Sequence, residues 1–313
     1  MENVPASPRV LIRADLAPLQ GTRFQPTGFP DIGAATYQLA DGTQMLLVES
    51  EQSVANRLEA VCWDAAQDEL VGPLAGMPYV RVDDGEGRFL TSSILEAHRL
   101  NSVYIEKSSF FTDELVPAIG YDKKRPTDLR ALAKALCKYD PNSLIHGTFL
   151  ESIAGTLRLP RVLSGFVEAR DVRVVSAGGV KNDHVTPSTK DTDRSAKEGY
   201  GNVPFHRDEY TAGELTAYFK LDLALLRSLA LGESVERFLV TLALWKVRVF
   251  LEEGLRLRTA CDLDATSVRA TRPESFELPE RGALESALPG AIEAAKKEGA
   301  FGPSPTVTVY AGK

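Results

Sequence analysis

The residues best suited to chemistry lie in a polar loop near the start of the chain. The loop offers amides, a guanidinium, an aromatic ring and a hydroxyl, from Gln20, Arg23, Phe24, Gln25 and Thr27. Amide and guanidinium donors beside an exposed ring suit a phosphodiester chain with splayed bases, since single strands are bound through their backbone and by stacking. The sequence therefore predicts a nucleic-acid contact here. The alternative is an ordinary loop in which Gly28 and Pro30 only form turns.

A second polar stretch covers residues 177–212 and contains few apolar side chains. Loops of this length inside a compact domain are uncommon, and they are usually functional or disordered. The candidate nucleic-acid contacts on this stretch are Lys181, Asn182, His184, Lys190, Arg194, Lys197 and Arg207. Asp183, Asp191, Asp193 and Glu198 nearly cancel the positive charge, so a mobile surface excursion without a partner is the alternative.

Three further candidates lie outside these two stretches. Asn56 and Arg57 are expected near the first turn of a predicted helix, where they could contact RNA. His146 precedes Gly147, which permits a close approach of the backbone to a ligand. An ordinary turn histidine is the alternative for His146.

The common catalytic and metal-binding motifs are absent from the sequence. It contains no P-loop, no dinucleotide-binding glycine fingerprint, no HExxH, no CxxC and no GxSxG. The histidines are scattered, without the spacing of metal ligands. Asp31 is a single carboxylate with no evident base or metal partner. The sequence therefore predicts no catalytic residue, no metal and no cofactor.

Composition is that of a soluble globular protein. The chain has 313 residues, of which 43% are hydrophobic and 25% are charged, enough for a substantial core in one large domain or two ordinary ones. No apolar run reaches the roughly 20 residues that span a bilayer, and no signal peptide is expected at the start. Cys62, Cys137 and Cys261 lie far apart, which indicates buried thiols in a reducing cytoplasm.

The charge distribution is the strongest argument against nucleic-acid binding. The net charge is −7, whereas nucleic-acid-binding surfaces are usually basic. Residues 41–86 hold ten acidic residues and two arginines, a local charge of −8, so the rest of the chain carries about +1. A localised basic groove elsewhere therefore stays possible.

Hydrophobic periodicity and turn signals predict the main elements. A strand over 9–16 precedes the first loop, and Asp41-Gly42 and Asp84-Gly85 indicate hairpins over 35–48 and 79–90. Helices are predicted over 53–66, after Ser92 or Ser93, from Pro126 or Thr127, over 233–257 and over 289–297. Strands are predicted over 161–168, 171–176 and 306–310. On the helix 233–257, Trp245 is expected to pack in the core and Arg248 to be solvated.

Three segments carry a family resemblance. LIRADLAPLQGTRFQPTGFPDIGAATY, LLVESEQSVANRLEAVCWD from Leu46 to Asp64, and the weaker SLIHGTFLES from Ser143 to Ser152 resemble the CRISPR-associated RAMP superfamily. Within it, the likeness is to the crRNA-binding backbone subunit of the type I-G (formerly I-U) Cascade surveillance complex.

The resemblance implies an α+β fold of one RAMP domain. A modified RRM-like, or ferredoxin-like, palm would take roughly residues 9–23, 151–176 and 213–313. Finger insertions would take roughly 24–150, and a thumb hairpin roughly 177–212. The usual RRM aromatic signature is missing, because only Ser164-Gly165-Phe166-Val167 resembles a fragment of it.

The resemblance also implies a function without chemistry of its own. Copies of the chain would line up along one crRNA and present it for pairing with target DNA. The expected partners are crRNA, target DNA through the guide, further copies of the chain, other Cascade subunits and a recruited helicase-nuclease, with no membrane. One alternative is a metal-dependent RNA nuclease that uses Asp31 and neighbouring acids. Another is a protein-interaction module that touches no nucleic acid.

Overall fold

A computed structural model describes residues 4–29, 33–122, 124–153, 157–186 and 195–310. The fold is mixed α+β. The strands are β1 (Arg9–Pro18), β2 (Gly28–Phe29), β3 (Gly33–Ala34), β4 (Thr36–Gln38), β5 (Gln44–Glu49), β6 (Trp63–Asp64), β7 (Glu69–Leu70), β8 (Val80–Asp83), β9 (Phe89–Ser92), β10 (Thr148–Leu150), β11 (Leu157–Leu159), β12 (Leu163–Arg170), β13 (Arg173–Lys181), β14 (Val203–Thr211), β15 (Glu214–Asp222), β16 (Arg256–Arg258), β17 (Cys261–Arg272) and β18 (Thr306–Val309). The α-helices are α1 (Glu51–Ala60), α2 (Val103–Glu106), α3 (Val116–Ile119), α4 (Leu129–Tyr139), α5 (Asn142–His146), α6 (Leu223–Ser228), α7 (Glu233–Glu253) and α8 (Arg281–Lys297).

A seven-stranded sheet organises the molecule, in the order β16-β17-β1-β15-β12-β5-β4. Every neighbouring pair in it is antiparallel. Along β1 the side chains of Val10, Ile12 and Ala14 are buried, whereas Arg13 and Asp15 alternate with them on the opposite face. This period of two gives one face to the core and leaves the other open. The predicted first strand is confirmed.

Helix α7 forms the centre of the core on the closed face of the sheet. It is apolar around most of its circumference, which is typical of a helix buried on several sides. Trp245 is buried as predicted, and the Phe250 ring meets Phe219 of β15 edge-on at 6.1 Å between centroids. The prediction that Arg248 is solvated was wrong. Its guanidinium is largely buried and donates to the carbonyls of Leu278 and Pro279, at 2.8 and 2.9 Å.

A smaller three-stranded sheet has the order β18-β8-β9. The hairpin β8–β9 confirms the second predicted hairpin, and β4–β5 confirms the first. β18 returns from the end of the chain and pairs with β8 in parallel, with Thr306 opposite Val80. The C-terminal segment is therefore joined to the N-terminal half of the molecule by main-chain hydrogen bonds.

Several predicted helix bounds were wrong. Helix α1 begins at Glu51 because Ser50 caps it, accepting a hydrogen bond from the amide of Ser53. The residues after Ser93 form turns and the short 3-10 helix Arg99–Asn101 instead of the predicted α-helix, and the φ of 53° at Arg99 interrupts an α-helical run across it. α4 starts after the cap Asp128, and α8 is longer than predicted, with Pro289 inside it.

The strands β12 and β15 continue beyond the sheet as a two-stranded ribbon, β13 and β14. The two strands pair in antiparallel register from Arg173 opposite Thr211 to Lys181 opposite Val203. The stretch 177–212 is thus β-strand at both ends, where its composition alone indicated a loop. These polar residues bury few side chains, so the cross-strand hydrogen bonds of the backbone are what orders them.

Two predictions about the environment concern the cysteines and the membrane. Cys62, Cys137 and Cys261 are buried free thiols, as predicted. Over the described part of the chain, no helix has both the length and the apolar character needed to cross a bilayer.

Candidate nucleic-acid interface

The loop 20–27 is anchored by its backbone between the ribbon and the turn before β17. Phe24 exchanges two main-chain hydrogen bonds with Tyr210 of β14, at 2.9 and 2.8 Å, and the Gln25 amide donates to the carbonyl of Ala260 at 2.7 Å. The Phe24 side chain is only 1% exposed. The prediction of an exposed aromatic ring was therefore wrong, because Phe24 enters the core as it bridges to Tyr210. Its role is to fix the loop against the base of the ribbon.

The outward part of the same loop lines an open cleft of about 450 Å³ with the base of the ribbon. Gln20 and Arg23 contribute from the loop, and Arg207 contributes from β14. The buried carboxylate of Glu209 lies 3.3 Å from the Arg23 guanidinium and accepts from Arg207 Nε at 2.9 Å. Two guanidinium groups thus share one carboxylate, and further N–H donors are left to meet a phosphate oxygen.

Arg23 is the most accessible cation of this cleft, with its side chain 56% exposed. We expect Arg23→Ala to weaken binding of single-stranded RNA by about 1.5–3 kcal/mol, the typical contribution of a charge-assisted hydrogen bond. The matched control is Arg130→Ala, an exposed arginine on α4. Fluorescence anisotropy with a labelled oligonucleotide measures both. Equal affinities of the two variants, at equal thermal stability, would exclude Arg23 from the RNA contact.

Arg57, Gln25 and Thr27 belong to one internal network around Glu49. The Glu49 carboxylate is fully buried and accepts from Arg57 at 3.1 Å and from Arg258. Arg258 also donates to the Gln25 carbonyl at 2.8 Å and to Thr27 Oγ1 at 2.7 Å. Arg57 was predicted near the first turn of α1 but lies in its last turn, because the helix runs from Glu51 only to Ala60. The network holds the loop on the sheet, and an RNA contact by these three residues stays a prediction.

The far end of the ribbon carries the predicted basic and polar residues. Lys181, Asn182, His184 and Lys197 are exposed, and Lys190 and Arg194 lie outside the described residues. The Asp183 carboxylate accepts from the backbone amides of Thr186 and Gly201, at 2.8 and 3.1 Å. These amides hold the pKa of Asp183 below its usual value, so the carboxylate stays charged as it ties the two sides of the ribbon together.

The ribbon also exposes apolar side chains. Val174, Val180 and Phe205 project from it, with Phe205 51% exposed. The Phe205 ring lies against Gly179 on the neighbouring strand, where an added Cβ would be 3.1 Å from the ring. The register places Val174 and Val180 on one face of the ribbon and Phe205 on the other, so both faces expose apolar side chains.

Asn56 and His146, predicted separately, lie in the wall of one cavity of about 680 Å³. Arg99, Phe149, Arg158 and Arg161 line the same cavity, which we call the arginine pocket. The structure thus unites two sequence candidates with three arginines that the sequence analysis missed. Arg158 and Arg161 lie on and just after β11, whereas Arg99 lies in a 3-10 helix about 60 residues earlier in the chain, and no local motif joins it to them.

A buried polar cluster lies behind the arginine pocket. The Arg99 guanidinium forms two hydrogen bonds with the Glu59 carboxylate, at 2.5 and 2.8 Å, and Asn142 Nδ2 donates to the same carboxylate at 2.8 Å. Lys246 lies 3.0 Å from His146 Nε2 and also donates to Asn142. Burial, together with the neighbouring Lys246, lowers the pKa of His146 well below its usual value. The imidazole is therefore neutral.

Asp140 makes the stability of this region depend on pH. Ser143 Oγ donates to one carboxylate oxygen at 2.7 Å, and among the described residues the other oxygen has no partner. Burial raises the pKa of Asp140 to about 6. The pKa of Asp140 in the folded protein thus lies above the unfolded value of about 3.9. The contribution of the protonated Asp140 side chain to folding stability is therefore complete below about pH 4 and is lost as pH rises through about 6.

We therefore expect Asp140→Asn, neutral at every pH, to be more stable than the wild type at about pH 8, by on the order of 1–3 kcal/mol. The gain should shrink towards about pH 4. Urea unfolding at a series of pH values measures this difference. A gain of the same size at every pH would contradict the assignment.

The open face of the sheet presents an aromatic pair. Phe166 of β12 lies directly opposite Tyr218 of β15, with ring centroids 5.2 Å apart, and the Arg13 guanidinium lies 6.0 Å from the Tyr218 ring. Phe166 and Tyr218 lie on strands far apart in the sequence, so no aromatic pair is visible in the sequence around Phe166. Only the strand register brings the two rings together.

The described ranges contain no group of three or more His, Cys, Asp or Glu side chains that could hold a metal ion. Asp31 lies outside those ranges, so its predicted alternative role stays untested.

Comparison with known proteins identifies the family. The family model described as CRISPR-associated protein GSU0053 matches residues 10–174, more than half of the 313 residues. The chain belongs to this family. The matched range contains the loop 20–27, α1 and the arginine pocket, and it ends at the start of β13.

Comparisons with whole proteins are weaker. No curated protein matches the chain. Among solved structures, a chain of a pre-nicking CRISPR RNA-guided surveillance complex is 14% identical, with a TM-score of 0.43, covering 93% of this chain and 89% of that one. A chain of another CRISPR RNA-guided surveillance complex is 15% identical, with a TM-score of 0.38 and coverages of 93% and 83%. Csc2 of Thermofilum pendens is 11% identical, with a TM-score of 0.33 and coverages of 93% and 77%.

Proposed function

We propose that this chain is the crRNA-binding backbone subunit of a type I CRISPR effector complex, in its I-G form. Several copies line up along one crRNA, and each presents a segment of it for pairing with target DNA. Other Cascade subunits complete the assembly, and a recruited helicase-nuclease cuts the target. The chain itself performs no chemistry.

The ribbon β13–β14 is the observation that carries the proposal. It extends two central strands out of the sheet, exposes apolar and basic side chains, and is anchored at its base by the bridge between Phe24 and Tyr210. A projecting element of this kind suits a thumb that folds over the guide towards the next copy. Membership of a CRISPR-associated family supports the same function.

The strand order supports an RRM-like palm. The four central strands run β17-β1-β15-β12, which is the order 4-1-3-2 when they are numbered along the chain. Helix α1 falls between the first and second of these strands, and α7 falls between the third and fourth. This is the β-α-β-β-α-β arrangement of ferredoxin-like folds, with the fingers inserted before β12 and the thumb before β15.

Guide binding of this kind must accept every spacer sequence, so it relies on the backbone of the RNA. If about four cations per subunit meet phosphates, log Kd should rise with log salt with a slope of about 3, as for single strands. Titrations of the full chain with oligonucleotides of different base composition, over a series of salt concentrations, measure this slope. A slope near zero, or a strong preference for one composition, would contradict the proposal.

A further inference from the structure

The arginine pocket concentrates positive charge without balancing carboxylates in its wall. Within the described ranges, neither Arg158 nor Arg161 forms an ion pair, whereas Arg99 is paired with Glu59. Most other arginines of the described residues lie within 4 Å of a carboxylate, as Arg23, Arg57 and Arg207 do. The pocket is thus one of the few places where guanidinium groups lack an acidic partner.

The pocket is held in shape by close backbone packing. Gly147 adopts a φ of 80°, and an added Cβ would lie 2.8 Å from the Leu159 carbonyl and 3.1 Å from Arg161 Cγ. Any other residue there would push the segment carrying Arg161 away. The Arg158 guanidinium lies over the Phe149 ring, 4.8 Å from its centroid, which restricts its orientation. The cations are therefore positioned before any ligand arrives.

His146 supplies an unused donor in the wall. Its side chain is 1% exposed, and Nε2 faces the Lys246 ammonium at 3.0 Å. An ammonium group only donates, so Nε2 accepts and the neutral ring carries its hydrogen on Nδ1. Among the described residues, Nδ1 has no hydrogen-bond partner. A buried donor without a partner is costly, and an acceptor bound in the pocket would satisfy it.

The electrostatics of the pocket favour an anion. Burial, with the positive charge of Arg99, lowers the pKa of Arg161 from its usual value. A bound anion would stabilise the charged Arg161 guanidinium against both its burial and its repulsion from Arg99. At the edge of the pocket on α1, Gln52 Oε1 accepts a hydrogen bond from the Arg161 guanidinium, and Gln52 Nε2 donates to Asn56 Oδ1 at 2.9 Å. These bonds orient Arg161 and leave the Asn56 amide group as a donor for the remaining oxygens of the anion.

We infer that the arginine pocket binds a phosphate group of single-stranded RNA. This inference rests on the proposed function, since the RNA is the guide that the chain would carry. The phosphate meets Arg158 and Arg161 directly, and Arg99 and His146 hold the floor of the site. The sequence candidates Asn56 and His146 thereby belong to a site separate from the cleft at Arg23.

The test compares the wild type with Arg161→Gln, Arg158→Gln and the control Arg130→Gln, all as full-length chains. Each is titrated with a labelled single-stranded RNA over a series of salt concentrations. We expect the Arg161 variant to bind on the order of tenfold more weakly, with its salt slope reduced by about 0.7, the value for one lost phosphate contact. Arg130→Gln should match the wild type. A second arm measures the thermal shift of each protein with inorganic phosphate and with a mononucleotide.

The outcomes separate the two proposals. If the wild type binds no RNA, the proposed function fails and the inference fails with it. If the wild type binds RNA and both pocket variants keep its affinity and slope, the proposed function stands and the pocket inference is overturned. If phosphate or the mononucleotide stabilises only proteins with an intact pocket while RNA affinity is unchanged, the pocket binds a free phosphate compound and not the guide. Reduced affinity and slope in both pocket variants support the inference.

Discussion

Replacing residues 179–205 with Asn-Gly is expected to abolish regular assembly on crRNA while the isolated subunit stays folded. Gly178 lies directly opposite His206, so a two-residue hairpin turn can close the shortened ribbon. The replacement keeps Arg207, Glu209 and the bridge between Phe24 and Tyr210. Among the described residues of the replaced segment, none belongs to the hydrophobic core. Size-exclusion chromatography and electron microscopy would report the loss of multi-copy complexes.

The control for this variant shortens a different hairpin. Replacing the turn 84–87 between β8 and β9 with Asn-Gly changes a loop outside the predicted contacts. It should assemble as the wild type does. In the ribbon variant the guide should become sensitive to nuclease along its length. A ribbon variant that assembles with unchanged stoichiometry and guide protection would show that β13–β14 is not a thumb.

The largest expected effect on stability comes from Glu59→Gln. This change removes the carboxylate that pairs with the buried guanidinium of Arg99 and accepts from Asn142. An uncompensated buried charge typically costs about 3–5 kcal/mol of unfolding free energy. Urea unfolding followed by circular dichroism measures the loss.

Glu293→Gln is the matched control, because Glu293 lies on the exposed side of α8, 4.0 Å from Lys296. Exposed pairs of this kind contribute about 0–1 kcal/mol, so the control should unfold nearly as the wild type does. A Glu59→Gln protein within about 1 kcal/mol of the control would show that the buried pair does not stabilise the fold.

Local patterns explain which elements could be predicted from the sequence. β1 alternates apolar and polar side chains, the hairpins β4–β5 and β8–β9 have Asp-Gly signals, and α7 is a long apolar run. In each case the decisive information lies within one short window. The predicted start of α1 at residue 53 was two residues late, because Ser53 and Ser50 are both of a type that caps helices and the path of the chain selects Ser50.

Long-range pairing explains what could not be predicted. Phe24 is buried because it meets Tyr210, and the left-handed backbone of Arg99 accompanies its pairing with Glu59. The arginine pocket assembles α1, the segment around His146 and the segment around Arg161, and no single motif contains them. Asn56 and His146 could be predicted from the sequence, but nothing in the sequence connects them to each other or to the arginines.

The RNA that accompanies the chain tests the central claim most directly. The full-length protein should be expressed with its neighbouring subunits and a CRISPR array, purified, and its bound nucleic acid extracted and sequenced. We expect RNA of one defined length that carries a spacer, bound by several copies of this chain and protected from nuclease. Complexes purified without RNA, or with RNA of random length and origin, would contradict the account.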